Sequence, residues 1–335
     1  MKAFVVARYG KDEVRAAVLP EPPIGDRDVL VKVSAASVNP LDIMVRNAEF
    51  KQLLKYKTPL VLGHDVSSVI TRVGPGVRGF AVGDQAYARP RDLRIGTFAE
   101  YIAIDQDDVV LKPAALSLHE AAAVPLVALA AWQILVEKAN IQPGQKVLIH
   151  AGAGGLGSIL IQRASHLSAH VGTTAGTARA NLVRELGADE VIDYTTEDFS
   201  QILSGYDLIV DSVGGENLTK SLGVLKADGL AIGVTGPPDS GFATQLGAPK
   251  PFELLLSFLS RNVRRAAKKL GVPHRHRHGF LRRQPQIRPA DIVRQVLDGI
   301  ESGATEVLAD ELTRQVRSER LRGLPCACPR GRVIE

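Results

Sequence analysis

A glycine-rich turn between a strand-like and a helix-like segment constrains the fold of this chain most strongly. It follows an apolar run at residues 146–150 and precedes a segment with apolar residues at helical spacing, Leu160, Ile161 and Ala164. The turn fits the pattern G-x-G-x-x-G and consists of Gly152, Ala153, Gly154, Gly155, Leu156 and Gly157. Glycine lets backbone N–H groups approach a pyrophosphate at the positive end of the helix. This strand–turn–helix context predicts a dinucleotide site, with a purely structural glycine turn as the alternative.

The end of the next predicted strand indicates which dinucleotide binds. In NAD sites a carboxylate about 20 residues further on usually binds the ribose 2′-hydroxyl. Residues 171–179 contain no acidic residue. The hydroxyls of Thr174 and Thr177 and the cation of Arg179 are instead candidates to bind a 2′-phosphate. We therefore predict NADPH as the cofactor, and the alternative for Arg179 is an exposed charge on a helix.

Residues after the turn alternate between helix-like and strand-like segments. Predicted helices lie near residues 156–168, 178–187 and 216–226, and predicted strands lie at 169–174, 190–193, 207–211 and 229–234. This alternation is typical of a parallel sheet with helices on its faces. We therefore predict an α/β fold with a doubly wound parallel sheet.

The first hundred or so residues have a different pattern. Short β-rich runs, such as residues 29–33 and 69–73, are separated by turns that contain Gly and Pro. Such a pattern favours a compact β-rich, barrel-like domain. Ser117 and Glu120 form a capping-box pattern that opens a helix, and a second helix is predicted at residues 128–139.

Seven further segments, in order along the chain, resemble those of a known family. They are residues 37–42, 62–66, 82–84, 96–101, 186–189, 191–194 and 211–215. Residues 1–270 thus resemble the medium-chain dehydrogenase/reductase superfamily, and within it the zinc-free quinone oxidoreductases and alkenal/one reductases. The resemblance implies a GroES-like catalytic domain at residues 1–120 and a Rossmann NADPH-binding domain at residues 121–270, with the site in the cleft between them.

The resemblance also implies roles for individual residues. Asn39 and Asp42 are expected near the nicotinamide and the substrate, with Asp42 as a candidate to brace the loop. Tyr56 is a candidate proton donor or aromatic wall, and a surface tyrosine is the alternative. Tyr194 is a candidate to contact the adenosine side of the cofactor.

Two pairs of residues follow predicted strands of the parallel sheet. In an open α/β sheet, ligands bind outside the carboxyl ends of the strands. We therefore expect Val213, Gly214, Val234 and Thr235 to lie along the path of the dinucleotide.

The residue types argue against a zinc enzyme. A catalytic zinc needs three protein ligands, and zinc-dependent relatives carry a cysteine near the position of Asn39. The first cysteine of this chain is Cys326, so His64 and Asp65 are at most a remnant of a ligand pattern. Without a Lewis acid, reducing an electrophilic acceptor is easier than oxidising an alcohol. We predict an NADPH-dependent reductase of quinones or of the C=C bond of α,β-unsaturated carbonyls. The alternative is an NADPH-binding protein without turnover.

Residues 271–335 are predicted to be an atypical basic tail. The net charge of the chain is +5, and residues 261–335 hold 17 Lys and Arg against 8 Asp and Glu. From residue 273 the family pattern is absent, which divergence, a frameshift or a chimeric gene would each explain. We expect a solvated, partly disordered tail, with binding to an acidic polymer as the alternative. No nucleic-acid motif is present, so no nucleic-acid partner is expected.

The composition and the chain start lead to an expectation about location. No stretch approaches the roughly 20 apolar residues of a membrane helix, and the N-terminal residues lack a signal-peptide pattern. Two cysteines, Cys326 and Cys328, fit a reducing compartment. We expect a cytoplasmic protein without a membrane partner, and a homodimer because relatives often form dimers.

Overall fold

The structure, a computed structural model, describes residues 1–11, 13–51, 54–235, 250 and 265. The first part of the chain forms two antiparallel sheets. Their strands are β1 (Lys2–Val6), β2 (Val14–Val18), β3 (Asp28–Ala35), β4 (Leu60–Val61), β5 (Val66–Val73), β6 (Gln85–Ala88), β7 (Tyr101–Asp105) and β8 (Val109–Leu111). One sheet has the order β2-β1-β4, and the other has the order β7-β3-β5-β6-β8.

The five-stranded antiparallel sheet encloses an apolar core. Val29 and Val31 alternate along β3 and pack with Val66 and Ile70 of β5. Strand side chains alternate between the two faces of a sheet, so this spacing places one face of each strand inside. The predicted GroES-like, β-rich domain is confirmed.

The second part of the chain forms a parallel sheet. Its strands are β9 (Lys146–Ile149), β10 (His170–Ala175), β11 (Glu190–Asp193), β12 (Tyr206–Asp211) and β13 (Leu225–Gly233). The order is β11-β10-β9-β12-β13, and each neighbouring pair is parallel. The strand order therefore reverses at the central strand β9, and in open α/β sheets ligands bind at such a switch point.

Helices pack on the sheets. They are α1 (Pro40–Arg46), α2 (Leu118–Ala121), α3 (Pro125–Trp132), α4 (Gly155–His166), α5 (Ala180–Glu185), α6 (Phe199–Ile202) and α7 (Glu216–Ser221). On β9, Val147 and Ile149 belong to one apolar cluster with α4, whereas Leu148 belongs to another with Phe199 of α6. Both faces of the parallel sheet are thus covered, and the predicted doubly wound fold is confirmed.

Two predicted helices have different bounds in the structure. The helix predicted at residues 128–139 starts earlier, because Pro125 suits the first turn of α3, and continues as a π-helical turn, Gln133–Lys138. The helix predicted to reach residue 226 ends at Ser221, where Gly223 breaks it before β13. Apart from residues 250 and 265, the chain after residue 235, including the predicted basic tail and both cysteines, lies outside the described residues.

Candidate functional site

The glycine turn joins β9 to α4 at the carboxyl edge of the parallel sheet. A Cβ added to Gly157 would lie 2.3 Å from the carbonyl oxygen of Ala151, and one added to Gly152 would lie 2.0 Å from Thr173 Oγ1. These two glycines are therefore required by close packing inside the turn. A Cβ on Gly155 would meet no atom closer than 3.9 Å, so the outer side of the turn is open. The first N–H groups of a helix have no intrahelical acceptor, and this open cradle fits a pyrophosphate.

Thr174 lies beneath the glycine turn. Its side chain is buried, and its Oγ1 accepts a hydrogen bond from Ala151 N at 3.2 Å. The same oxygen lies 3.2 Å from His150 Nδ1. The hydroxyl is thus used inside the protein, and its geometry favours support of the turn over the predicted direct contact with a 2′-phosphate.

Thr177 lies two residues after the end of β10, beside a carboxylate from the next strand. Thr177 Oγ1 donates a hydrogen bond to Asp193 Oδ2, and Thr195 N donates to Asp193 Oδ1 at 2.9 Å. Hydrogen bonds from Thr177 and Thr195 lower the pKa of Asp193, which is therefore ionised at neutral pH. Parallel pairing places Ala175 opposite Asp193 and so brings this acid to the region that has none in its own segment.

Arg179 and Tyr194 flank the same loop. Arg179 N donates to Gly176 O at 2.8 Å, which closes the 3₁₀ turn Thr177–Arg179. The hydroxyl of Tyr194 lies 3.3 Å from the position that a Cβ on Gly176 would take, and 63% of Tyr194 is exposed. The structure thus brings Thr177, Arg179 and Tyr194 together around Gly176, next to the glycine turn.

The ends of β12 and β13 meet on the other side of the turn. The carboxylate of Asp211 accepts hydrogen bonds from Val213 N at 2.9 Å and Gly214 N at 3.1 Å, and Asp211 O accepts from Val234 N at 2.8 Å. A Cβ on Gly214 would lie 2.6 Å from the carbonyl oxygen of Thr235. All four residues predicted to follow the dinucleotide path therefore lie at one point of the carboxyl edge.

The part of the site formed by the antiparallel sheets and α1 is called the barrel side. There, Asp42 links the start of α1 to β4 and the residues after it. Its Oδ2 accepts from Asn39 N at 2.8 Å, and its Oδ1 accepts from Gly63 N at 3.1 Å. The same Oδ1 lies 2.6 Å from His64 Nδ1, and the Asp42 side chain is 2% exposed. Asp42 is thus a buried side chain that joins the start of α1 to Gly63 and His64.

Asp65 connects the barrel to the first helices of the second part. Its Oδ2 accepts from Asn39 Nδ2 at 2.9 Å and from Ser37 Oγ at 2.8 Å, and its Oδ1 accepts from Leu126 N at 2.8 Å. Burial raises the pKa of Asp65 to about 6, although these three donors oppose the rise. Asn39 therefore lies where the two parts of the chain meet, with its amide nitrogen used to hold Asp65.

Tyr56 is buried in an apolar cluster next to α1. The cluster includes Val45 of α1, Phe50 and Leu62. The alternative of a surface tyrosine is thus wrong. Burial, with the nearby carboxylate of Asp92, raises the pKa of Tyr56 to about 12, so its hydroxyl stays protonated at physiological pH.

Comparison with known proteins identifies the family. Residues 25–114 match the alcohol dehydrogenase GroES-like domain, and residues 186–313 match the family described as zinc-binding dehydrogenase. A 2-methylene-furan-3-one reductase from Solanum lycopersicum is 39% identical over 259 residues, and an NADPH-dependent alkenal/one oxidoreductase from Arabidopsis thaliana is 36% identical over 257. The structure of a quinone oxidoreductase from Coxiella burnetii superposes with a TM-score of 0.74 at 27% identity and covers 96% of both chains.

The chain belongs to the medium-chain dehydrogenase/reductase superfamily. Its relatives place it in the superfamily branch of quinone and enone reductases. The match to each plant relative spans 72% of this chain and 65% of the relative's length. The second domain match ends at residue 313, so similarity to the superfamily continues beyond residue 270, where the sequence motifs alone end.

Several polar residues of this candidate site were not predicted from the sequence to have a role in it. His150 directly follows β9, Asp193 and Asp211 end β11 and β12, and Asp65 directly precedes β5. Position at a strand end was the available signal for three of them. Asp65 drew notice in the sequence only as a remnant of a ligand pattern, and no local signal indicates its contact with Leu126, which is distant in sequence.

Neither a metal centre nor a membrane span is present in the described part of the chain. Within residues 1–235, with gaps at 12 and 52–53, and at residues 250 and 265, no group of three or more His, Cys, Asp or Glu is placed to hold a metal ion. Over those same residues, no helix is long and apolar enough to cross a bilayer.

Proposed function

We propose that this protein reduces a quinone, or the C=C bond of an α,β-unsaturated carbonyl, with NADPH and without zinc. The observation that carries the proposal is the open glycine turn at the switch point of the parallel sheet. The hydrogen bond from Leu126 to Asp65 supports a substrate site facing that turn, because it holds the barrel side against α3. The names of the plant relatives describe enone reduction, and one of them specifies NADPH.

Recognition of the 2′-phosphate is assigned to Arg179 and Tyr194. The hydroxyl of Tyr194 lies beside Gly176, and Arg179 belongs to the 3₁₀ turn that follows Gly176. A guanidinium can make charge-assisted hydrogen bonds to a phosphate. Thr177 takes a secondary role, since its proton is donated to Asp193. Asp193 adds negative charge to this region, and that charge repels a 2′-phosphate. The cation of Arg179 is therefore the group that decides between NADPH and NADH.

The barrel side positions the acceptor. NADPH supplies a hydride when bound, and the acceptor gains that hydride at carbon and a proton from solvent. Asn39 and Asp42 hold the shape of the loop next to the nicotinamide, through Asp65 and His64. Tyr56 stays protonated because its pKa is raised to about 12, and it serves as an aromatic wall or hydrogen-bond donor rather than a ready acid.

The donor set on the barrel side does not suit a catalytic zinc. Such a site needs three Cys, His, Asp or Glu ligands with an open position. Here Asp42 and His64 are bonded to each other, and both oxygens of Asp65 accept hydrogen bonds. Asn39 stands at the place where zinc-dependent relatives carry cysteine. The proposed chemistry therefore relies on an acceptor that is already electrophilic.

The experiment measures NADPH and NADH consumption with a panel of quinones and short enones. We expect turnover with NADPH over NADH, and Arg179→Ala to lower kcat/KM for NADPH about tenfold to a hundredfold while leaving NADH little changed. Arg184→Ala is the matched control, since Arg184 lies on α5 and bonds to Asn181. Equal use of both cofactors, or an equal loss in the control, would contradict the cofactor assignment. NADPH binding without turnover would favour the non-catalytic alternative.

Location and assembly complete the proposal. We place the protein in the cytoplasm, because its two cysteines fit a reducing compartment. We also propose a homodimer, because relatives often form dimers. Cell fractionation and light scattering of the purified protein test these two statements.

A further inference from the structure

His150 is a buried histidine that the sequence motifs did not single out. It directly follows β9, is 1% exposed, and packs edge-on against Phe199 with ring centroids 4.6 Å apart. Both ring nitrogens have partners: Nδ1 lies 3.2 Å from Thr174 Oγ1, and Nε2 lies 2.9 Å from Ser221 Oγ. A buried polar ring with two partners of this kind connects the elements on either side of it.

The partners determine which nitrogen carries the proton. Ser221 Oγ donates its only proton to the carbonyl oxygen of Asn217 at 2.7 Å, so it accepts from His150 Nε2. Nδ1 of the neutral ring is then an acceptor, and Thr174 Oγ1 donates to it. Thr174 Oγ1 in turn accepts from Ala151 N. Burial lowers the pKa of His150, against the opposing charge of Asp211, so the ring is neutral at physiological pH.

The resulting chain of hydrogen bonds joins two loops of the proposed cofactor site. It starts at the backbone of Ala151, which opens the glycine turn with a φ of 55°. It passes through Thr174, His150 and Ser221 and ends at Asn217 in α7. Asn217 Nδ2 donates to Asp211 Oδ1 at 3.0 Å, and that carboxylate holds the backbone N–H groups of the turn at residues 211–215.

We propose that His150, as the Nε2–H tautomer, is a positioning residue for the dinucleotide: it fixes the glycine turn relative to the turn at residues 211–215. This inference rests on the proposed NADPH binding. His150 touches no reacting atom and acts through Thr174 and Ser221. Its loss therefore weakens cofactor binding and leaves the rate at saturating cofactor almost unchanged.

The experiment compares NADPH affinity by fluorescence titration with kcat at saturating NADPH. His150→Leu removes both hydrogen bonds, and we expect Kd to rise about tenfold, the effect of losing one buried hydrogen bond, with kcat within about twofold. His150→Asn keeps an acceptor near the position of Nδ1, and we expect Kd within about threefold of the native value. Thr174→Val is a smaller change, and its Kd for NADPH should match that of His150→Leu. The double variant should bind NADPH no more weakly than either single variant, because both substitutions break the same chain of hydrogen bonds.

Tyr206→Phe is the control for a merely structural role. Tyr206 is buried in the same sheet and donates to Glu190 at 2.9 Å, but at the amino end of β12. We expect it to lower Tm without changing Kd. The proposal is overturned when His150→Leu lowers Tm but leaves Kd at the native value, or when His150→Asn binds as weakly as His150→Leu.

A second readout separates this proposal from the proposed function. If the native protein does not bind NADPH, the proposed function fails. The ¹⁵N spectrum of His150 then still tests the hydrogen-bond chain: a proton on Nε2 supports it, and a proton on Nδ1 overturns it.

Discussion

The barrel side and the residues directly beneath the glycine turn bury polar groups in different ways. On the barrel side, Asp42 and Asp65 are carboxylates at 2% exposure or less, and each is held by several donors. Beneath the glycine turn, the side chains that bond to one another are the neutral groups of His150, Thr174 and Ser221. On the barrel side, N–H and O–H donors of the protein form hydrogen bonds with Asp42 and Asp65. At the glycine turn, Ala151, Gly152 and Gly154 donate their N–H groups within the protein, whereas the first N–H groups of α4 have no intrahelical acceptor and suit an anionic ligand such as a pyrophosphate.

This difference predicts that the glycine turn is sensitive to volume. Gly157→Ala places a Cβ 2.3 Å from the backbone oxygen of Ala151, and backbone cannot yield without deforming the turn. We expect a loss of more than about 3 kcal/mol in the free energy of unfolding, and NADPH binding too weak to titrate. Urea unfolding and fluorescence titration measure the two effects.

Gly155→Ala is the matched control for that prediction. Its Cβ would meet no atom closer than 3.9 Å, so the unfolding free energy should stay within about 0.5 kcal/mol of the native value. Equal losses in both variants would show that glycine content, rather than the packing of one position, decides the stability of the turn.

The barrel side is instead predicted to be sensitive to pH. Burial raises the pKa of Asp65 to about 6, above the value of an unfolded carboxyl. Between about pH 4 and pH 6 the folded protein thus binds more protons than the unfolded chain, and its free energy of unfolding falls as pH rises. A difference of about two in pKa corresponds to about 3 kcal/mol across this window.

Asp65→Asn tests this pH dependence. The variant lacks the titrating group, so its unfolding free energy should vary less between about pH 4 and pH 7 than that of the native protein. The amide nitrogen would also face donors from Asn39 or Leu126, so we expect the variant to be less stable near pH 4. Parallel pH curves for the two proteins would show that Asp65 does not titrate in this range. Urea unfolding at several pH values gives both curves.

Local patterns predicted much of this molecule. The glycine turn, the strands around it and the capping box of Ser117 depend on residues close in sequence, and the structure has them. The hydrogen-bond partners of the polar side chains could not be predicted in the same way. Thr177 donates to Asp193 because β10 pairs with β11, and Asp65 accepts from Leu126 because a helix packs on the barrel. Such contacts depend on strand register and packing, which periodicity does not encode.

The smallest predicted effect separates the charge of Asp65 from its packing. Ser37→Ala removes a donor to Asp65 Oδ2, so the pKa of Asp65 should rise further and the variant should lose about 1 kcal/mol near pH 7. Near pH 4 the carboxyl is protonated in both proteins and the loss should shrink. Ser34→Ala, an exposed serine on β3, is the control and should show no loss at either pH. A loss that is independent of pH would mean that Ser37 stabilises the protein by packing alone. The hydrogen bond from Ser37 would then not contribute to holding the charge of Asp65, and the contrast between the barrel side and the glycine turn would depend on Asp65 itself.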